Sequence, residues 1–205
     1  MDGLATRWRV VGQLPHVVII QGHPDPAGGH LCNALADAYA HGAEQAGHAV
    51  TRIDVATLTF PWLRTKQEFE TGQLPDALRA AQVAIGGADH LCIVYPLWLG
   101  TLPAILKAFL EQIFRPGFAF PMSGWTWRRP LKGKSARIVV TMGMPVLIYR
   151  WYFGAHGLKS LERNILQFCG IGPCRESLFG MIETVSGARR ARWIEAMRKF
   201  GAAAR

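Results

Sequence analysis

The sequence predicts an α/β fold in which helices cover both faces of a parallel sheet. Short runs of β-branched and other apolar residues alternate with segments whose apolar residues recur at helical spacing. The resulting order is β-α-β-α-β-α-β-α-β-α, and strands that alternate with helices in this way pair in parallel. Long loops follow the first, third and fourth predicted strands, at the carboxyl edge where open α/β sheets bind ligands.

The first helix lies between the first two strands. Residues 17–21 are a short β-branched run, which is typical of a buried strand, and residues 22–29 are rich in glycine and proline and predict a loop. Apolar residues recur at helical spacing from Leu31 onward, and Gly47 is a natural end for that helix. Residues 49–54 predict the second strand.

A long loop over residues 55–75 is expected before the second helix. Asp76 is predicted to cap that helix, and Val83 is expected on its apolar face. Residues 91–95 predict the third strand. Pro103 favours the first turn of the third helix, because proline lacks the N–H that this turn does not need.

Two strands and two helices are predicted in the second half of the chain. The strands cover residues 136–141 and 176–182, and an aromatic loop over 143–155 follows the first of them. One helix ends near Gly170, and a basic helix over 188–204 follows the last strand. The apolar face of this basic helix is expected to hold Trp193, Ile194, Met197 and Phe200.

Composition limits the classes of protein to consider. The 205 residues suit one domain, and a hydrophobic fraction of 50% excludes intrinsic disorder. The net charge of +9 favours anionic partners, or it simply keeps the surface soluble. Nucleic acid is not predicted, because no groove-reading motif is present. The basic terminal helix could touch an anionic membrane, but its role as a surface helix accounts for it, and we do not predict this contact.

No membrane span or signal peptide is expected. The most apolar stretch, residues 91–106, is interrupted by proline and glycine. The four cysteines are scattered and form no CxxC pair, which favours reduced core residues such as Cys92 in a cytoplasmic protein. A metal clip made by Cys169 and Cys174 is an alternative, although no second pair of ligands accompanies it.

The standard nucleotide motifs are absent. Gly133-Lys134-Ser135 resembles the end of a P-loop, but Arg128 stands where that motif needs a further glycine. No GxGxxG segment follows the first strand, so a two-lobed dinucleotide site is not supported.

The loop after the first strand suits a phosphate. Its glycines let the backbone approach a ligand closely, and the helix that begins near His30 points its free N–H groups at the loop. His23 and His30 could each bond a phosphate or merely cap the loop. An ordinary strand-to-helix turn is the alternative.

Three segments carry a resemblance to a known family. Residues 23–39 (HPDPAGGHLCNALADAY), 95–120 (YPLWLGTLPAILKAFLEQIFRPGFAF) and 141–171 (TMGMPVLIYRWYFGAHGLKSLERNILQFCGI) resemble the flavodoxin-like NAD(P)H:quinone oxidoreductases. The resemblance implies a three-layer sandwich with a five-stranded parallel sheet in the order 2-1-3-4-5. It also implies a flavin-binding domain over residues 16–205, preceded by an extension over 1–15.

The same resemblance implies an activity. Hydride would pass from NAD(P)H through a flavin to a quinone or similar acceptor, in a ping-pong sequence, and the protein would be a homodimer. FAD is the expected flavin, with FMN as the alternative. A flavin-binding accessory subunit of a membrane ion-efflux system and an electron-transfer flavodoxin are the rival functions. The flavodoxin is disfavoured because such carriers are usually acidic and this chain carries a charge of +9.

The resemblance also implies site residues, in three groups. His30 and Cys32 stand where many relatives have serine and asparagine. The first loop would hold the flavin phosphate, the loop after the third strand would line the ring, and the loop after the fourth strand would touch its pyrimidine side. The residues are His23, Gly29, His30, Leu31 and Cys32 for the phosphate, Pro96, Leu97, Trp98 and Leu99 for the ring, and Thr141, Met142 and Gly143 for the pyrimidine side.

Aromatic residues and one histidine complete the expected site. Relatives from animals place a tyrosine and a histidine near the flavin, six residues apart, where they stabilise the negative charge that develops on the ring. Tyr149 and His156 are the corresponding pair here, seven apart, and aromatic packing in the loop is the alternative. Trp98 is expected to form a wall of the flavin site. The alternative is that it is an aromatic residue of the core. Two further tryptophans, Trp125 and Trp127, are expected to cover a second subunit or the substrate mouth.

Overall fold

A computed structural model of the chain describes residues 14–121 and 129–205. Most of the predicted extension and the tryptophans Trp125 and Trp127 lie outside the described residues. Five strands form one sheet in the order β2-β1-β3-β4-β5, and every neighbouring pair is parallel, which confirms the predicted fold class and strand order. The strands are β1 (His16–Gln21), β2 (Ala49–Asp54), β3 (His90–Pro96), β4 (Ser135–Thr141) and β5 (Cys174–Phe179).

Helices cover both faces of the sheet. On one face α1 and α6 enclose an apolar core, and on the other α3, α4 and the helix after β4 enclose a larger one. The helices are α1 (Leu31–Gln45), α2 (Lys66–Thr71), α3 (Asp76–Gly87), α4 (Ala104–Ile113), α5 (His156–Lys159), which continues as π-helical turns over Ser160–Gln167, and α6 (Gly187–Ala202). Met197 of α6 is fully buried, and the other three residues predicted on its apolar face pack against the same core.

Several details of the sequence prediction were wrong. Helix α2 lies inside the predicted loop over 55–75, and a π-helical turn, Ile148–Tyr152, lies inside the loop predicted over 143–155. Asp76 is the first residue of α3 rather than its cap, and its carboxylate pairs with Arg79 at 2.6 Å. Val83 is 75% exposed, because it falls on the solvent side of α3.

Lys134 of the failed P-loop motif has a structural role. Its side chain is buried, and its Nζ donates hydrogen bonds to the backbone oxygens of Gly86 and Ala88, at 2.8 and 2.7 Å. These carbonyls lie at the end of α3, where helical carbonyls lack partners within the helix and a cation is favourable. The lysine therefore terminates a helix and does not bind a nucleotide phosphate.

The four cysteines are free thiols. Burial raises the pKa of Cys169 to about 12 and that of Cys174 to about 11, so neither is a thiolate ready to bind a metal. Cys174 instead directs its Sγ at the carbonyl of Ile171. Within the described ranges, no group of three or more potential ligands is placed to hold a metal ion, and no helix is long and apolar enough to cross a membrane.

His90 makes the stability of the fold sensitive to acid. Its ring is buried, Nδ1 lies 2.7 Å from the Ser135 hydroxyl, and Nε2 has no hydrogen-bond partner in the described part of the chain. Burial, helped by the positive charge of Arg137, lowers the pKa of His90 to about 4. Between about pH 6.5 and pH 4 the unfolded chain binds a proton at this residue and the folded chain does not. The free energy of unfolding therefore decreases as the pH is lowered through that window.

We therefore expect His90 to remove roughly 3 kcal/mol of unfolding free energy between pH 7 and pH 4. Urea unfolding of the wild type, His90→Asn and His41→Asn across this range measures the effect, and His41 is an exposed histidine of α1. H90N should lose less stability than the wild type on acidification, and H41N should follow the wild type. Equal losses in all three proteins would contradict the expectation.

Candidate active site

Three loops meet at the carboxyl edge of the sheet. We call them the first loop (residues 22–30, after β1), the second loop (97–103, after β3) and the third loop (142–155, after β4). The strand register brings them together, since Gln21 pairs with Val94 and the end of β3 pairs with the end of β4. The Leu97 N–H donates to the carbonyl of Thr141 at 2.8 Å, which holds the second loop against β4.

Glycine and a helix start shape the first loop. Gly28 and Gly29 have φ of +72° and +79°, a left-handed conformation that L side chains rarely adopt. His30 then precedes α1, and its own N–H donates to the Asn33 side-chain oxygen at 3.2 Å. The Asn33 N–H donates to the His30 carbonyl, and the N–H groups of Leu31 and Cys32 before it have no acceptor among the described residues, so the segment can hold an anion.

The two predicted histidines of the first loop are brought together. The rings of His23 and His30 stack with centroids 3.8 Å apart and an interplanar angle of 17°. His30 Nε2 lies 2.7 Å from the Asp25 carboxylate, which sequence reasoning missed. Burial and the neighbouring His30 lower the pKa of His23, and the hydrogen bond with His30 lowers the pKa of Asp25.

Leu31 and Cys32 direct their side chains into the protein. Leu31 packs against the core between α1 and α6, and Cys32 is 1% exposed. The Cys32 Sγ lies 3.1 Å from the Thr141 hydroxyl, and burial raises the pKa of this thiol to about 11. Only the backbone N–H groups of these two residues are therefore placed to contact a ligand in the first loop.

A tight turn forms the second loop. Trp98 and Thr101 exchange backbone hydrogen bonds of 2.9 and 3.0 Å, and Leu99 and Gly100 between them have positive φ. A left-handed conformation at Leu99 costs on the order of 1 kcal/mol, a kind of strain that clusters at functional sites. Trp98 is 51% exposed and is therefore not a core aromatic. Pro96 is buried at the end of β3.

The third loop is joined by the segment that follows β5. Thr141 and Met142 are buried, whereas Gly143 is exposed. The Ile182 N–H donates to the Met142 carbonyl at 3.3 Å, and a Cβ added at Gly143 would lie 3.8 Å from the Glu183 carboxylate. Sequence reasoning missed Glu183, and no signal in the chain indicates it, because its position depends on the packing of two distant loops.

Tyr149 and His156 occupy different environments. Tyr149 is buried, and its hydroxyl accepts a hydrogen bond from the Leu158 N–H at 3.2 Å. Burial raises the pKa of Tyr149, so the phenol keeps its proton and can still donate it. His156 is exposed, and in the described part of the chain it shares no hydrogen bond with Tyr149.

The start of α5 packs directly on the second loop. A Cβ added at Gly157 would lie 2.3 Å from the Gly100 carbonyl oxygen and 2.7 Å from the Thr101 Cα. Real Cβ atoms do not approach backbone so closely, so only glycine allows this contact. The second loop and the start of α5, which follows the third loop, therefore approach each other closely at this glycine.

Comparison with known proteins identifies the family. Residues 15–200 match the sequence profile of a family described as having a flavodoxin-like fold. The chain belongs to this flavodoxin-like family. An uncharacterized NAD(P)H oxidoreductase of Haemophilus influenzae is 27% identical over 182 residues, which cover 87% of this chain and 90% of that protein.

One relative of the flavodoxin-like chain is about twice its matched length, and a solved structure matches it almost from end to end. NAD(P)H dehydrogenase [quinone] 1 of Rattus norvegicus is 26% identical over 136 residues, which cover 64% of this chain and about half, 49%, of the rat protein. Among solved structures, an NAD(P)H:quinone oxidoreductase from Methanothermobacter marburgensis matches with a TM-score of 0.77 at 21% identity, covering 92% of this chain and 95% of that one. At that identity the structural likeness shows the fold.

The carboxyl edge of this flavodoxin-like fold has buried polar atoms without hydrogen bonds to the described residues. These atoms are the Nε2 of Gln21 and the hydroxyl of Tyr95, at the ends of β1 and β3. Buried polar groups in native proteins are nearly always satisfied, so orphans at this edge fit a ligand that supplies polar atoms. Together with the anion-binding first loop, the residues present fit a flavin phosphate and ring.

Proposed function

We propose that this chain is a flavin-dependent NAD(P)H:quinone oxidoreductase. The observation that carries the proposal is the meeting of three loops, one of them built to hold an anion, at the sheet edge where α/β folds bind ligands. The names of the relatives from Haemophilus influenzae and Rattus norvegicus support the same reaction class.

The first loop would hold the flavin phosphate. The backbone N–H groups of Leu31 and Cys32 suit a close approach of the anion, and so does the open face at Gly29, where a Cβ would have no atom of the described residues within 4 Å. The side chains of His23 and His30 would add polar contacts. FAD is our proposed cofactor, with FMN as the alternative. FMN is named for one relative, an FMN-dependent NADH:quinone oxidoreductase of Burkholderia lata that is 32% identical over 96 residues.

The second and third loops would enclose the ring. Bound flavin supplies the hydride chemistry, accepting a hydride from NAD(P)H and passing it to a quinone. Pro96, Leu97, Trp98 and Leu99 would line one side and exclude water, while Thr141, Met142 and Gly143 would contact the pyrimidine side. The half-exposed Trp98 would form an apolar wall that suits a flat acceptor.

Tyr149 and His156 would stabilise the negative charge on the reduced ring. The Tyr149 hydroxyl accepts from Leu158 and keeps its own proton for donation, which is the arrangement that a charge-stabilising donor needs. The exposed His156 would reach the ring from the start of α5.

We expect Tyr149→Phe to lower kcat for quinone reduction about 10²-fold and to leave the bound flavin content unchanged. The ring that fills the core is kept and only the donor is removed. Tyr152→Phe is the matched control, because Tyr152 lies in the same loop and is 82% exposed. If Tyr149 has only a packing role, Y149F will match Y152F in kcat and differ only in thermal stability.

A homodimer is proposed from the exposed apolar side chains. Trp151 and Tyr152 of the third loop are 83% and 82% exposed, and Phe168 is 59% exposed beside a groove of about 300 Å³. Phe120 packs on Phe168 with ring centroids 5.7 Å apart in the same groove. Apolar patches of this kind usually mark an interface between proteins.

We also propose a domain boundary and a location. The flavin-binding domain would cover residues 16–205, with residues 1–15 as an extension. The four free cysteines favour the reducing cytoplasm.

Steady-state kinetics of the purified protein test the reaction class. Oxidation of NADH or NADPH should require a quinone, and double-reciprocal plots at several quinone concentrations should be parallel, as a ping-pong sequence demands. A flavin-loaded protein that oxidises neither nucleotide with any quinone would contradict the proposal. Co-fractionation of such an inactive protein with membranes would instead favour the accessory subunit.

A further inference from the structure

A row of basic side chains leads away from the candidate site along α5 and the helical turns that follow it. His156, Lys159 and Arg163 stand at intervals of three and four residues, which places them on one face of a helix. Together with Ser160 and Asn164 they line a groove of about 340 Å³, which we call the α5 groove. All five residues are exposed, so the groove is open to a ligand from solution.

The α5 groove begins at the two loops that would enclose the flavin ring. A Cβ added at Gly154 would lie 2.6 Å from His156 Nε2, so the imidazole lies against the third loop. A Cβ added at Gly157 would lie 2.3 Å from the carbonyl oxygen of Gly100 in the second loop. The far end of the groove, at Arg163, lies roughly 10 Å further along the helix axis, at about 1.5 Å per residue. The groove therefore extends from the ring site toward the outside of the molecule.

The cations at the far end of the groove are not neutralised within the described part of the chain. No ion pair or side-chain hydrogen bond joins Lys159 or Arg163 to another described residue. Two acidic residues of the adjoining segments have other partners, since Glu162 accepts a hydrogen bond from a side-chain amide and Glu111 of α4 pairs with Lys107. Unpaired cations that line a groove attract an anionic group.

The hydride donor of the proposed reaction can supply such a group. NADPH differs from NADH by a phosphate on its adenosine ribose, at the end remote from the nicotinamide. When the nicotinamide lies against the flavin ring, this adenosine end must leave the ring site along one of its walls. Two other walls carry acidic side chains, Asp25 in the first loop and Glu183 beside Gly143, which disfavour a phosphate. The wall formed by the α5 groove is cationic.

We propose that Lys159 and Arg163 of the α5 groove bind the 2′-phosphate of NADPH, and that the protein therefore prefers NADPH to NADH. The inference rests on the proposed reaction and names its hydride donor. Arginine binds phosphate through paired N–H donors and lysine binds it as a point charge, so the two together suit a phosphate monoester. Ser160 and Asn164 would donate neutral hydrogen bonds to the same group.

Two fragments isolate the contribution of the 2′-phosphate. Adenosine 2′,5′-bisphosphate and AMP differ only in this group, and calorimetric titration of the flavin-loaded protein with each measures the difference in affinity. The variants are Lys159→Met and Arg163→Met. The control is Lys132→Met, which removes an exposed cation that precedes β4, at the opposite edge of the sheet. Steady-state kcat/KM for NADPH and for NADH, with one quinone, is measured on the same four proteins.

We expect the wild type and K132M to bind the bisphosphate at least about tenfold more tightly than AMP, which corresponds to one hydrogen bond between charged groups. K159M and R163M should lose most of this preference, and their kcat/KM should fall about tenfold with NADPH and remain unchanged with NADH.

A wild type that binds the two fragments equally and oxidises the two nucleotides equally well would overturn the inference and leave the proposed reaction standing. Equal losses with NADPH and NADH in K159M and R163M would also overturn it, because the groove would then hold a part that both nucleotides share. A flavin-loaded wild type that oxidises neither nucleotide would overturn the proposed function, and this inference with it.

Discussion

Gly157→Ala is expected both to weaken flavin binding and to destabilise the fold. The new methyl would stand 2.3 Å from the Gly100 carbonyl oxygen and 2.7 Å from the Thr101 Cα, so the second loop must move away from α5. Overpacking of this kind costs about 1–3 kcal/mol. A misplacement of about 1 Å in a binding site can cost about 10²-fold in rate, so activity should fall along with stability.

Fluorescence titration with FMN or FAD and thermal unfolding without flavin separate the two effects. Gly187→Ala is the matched control, because Gly187 begins α6 and a Cβ there would lie more than 4 Å from every other residue that the structure describes. G187A should bind flavin as the wild type does. If G157A binds flavin with unchanged affinity, the second loop is not part of the flavin site as we describe it.

Gly42→Ala should cause the largest loss of stability among the single changes considered. Helices α1 and α6 cross in direct backbone contact. A Cβ at Gly42 would lie 1.9 Å from the Arg198 carbonyl oxygen, and one at Gly201 would lie 2.0 Å from the Tyr39 carbonyl oxygen. Two backbones cannot yield as a side chain can, so the helices must separate, at a cost of about 3 kcal/mol or more.

The corresponding fall in Tm is about 6–12 °C for a domain of this size. Differential scanning calorimetry of G42A and G187A measures it. Alanine is favoured over glycine inside a helix, so G187A should be neutral or slightly stabilising. A Tm for G42A within about 2 °C of the wild type would mean that α1 and α6 are not in backbone contact.

Strands β1, β3 and β4 could be predicted from the sequence because each is a largely apolar run between turn residues. Strand β2 has the predicted bounds, and β1 differs by one residue. The helix α2 was missed although its signal was readable. Thr65 and Glu68 form a capping pair, in which the Thr65 hydroxyl accepts the Glu68 N–H at 3.1 Å. The helix is only six residues long and Phe69 is its one apolar residue, so it shows no apolar period.

Positions that depend on tertiary packing could not be predicted. Val83 was placed on the apolar face of α3, but the buried face follows Leu78, Ala81 and Ile85, which leaves Val83 toward solvent. Lys134 lies in a motif that resembles the end of a phosphate-binding loop. Only the fold shows that its Nζ lies against the backbone oxygens at the end of α3.

The sequence predicted which loops form the candidate site, but it did not predict the contacts between their residues. Sequence reasoning placed His23 and His30 in one loop, but their stacking and the Asp25 partner depend on the path of the chain through two glycines of positive φ. Likewise, the sequence offers Glu183 only as one acidic residue after a strand. Its proximity to Gly143 arises from hydrogen bonds between two loops.

The visible absorption spectrum of the purified protein tests the central claim most directly. We predict a yellow protein with flavin bands, which bleaches on addition of NADH or NADPH and recovers its colour when a quinone is added. Heat release and chromatography of the pigment would then distinguish FAD from FMN. A colourless protein that also fails to bind added FAD and FMN would contradict the account, and the three loops would then serve some ligand other than a flavin.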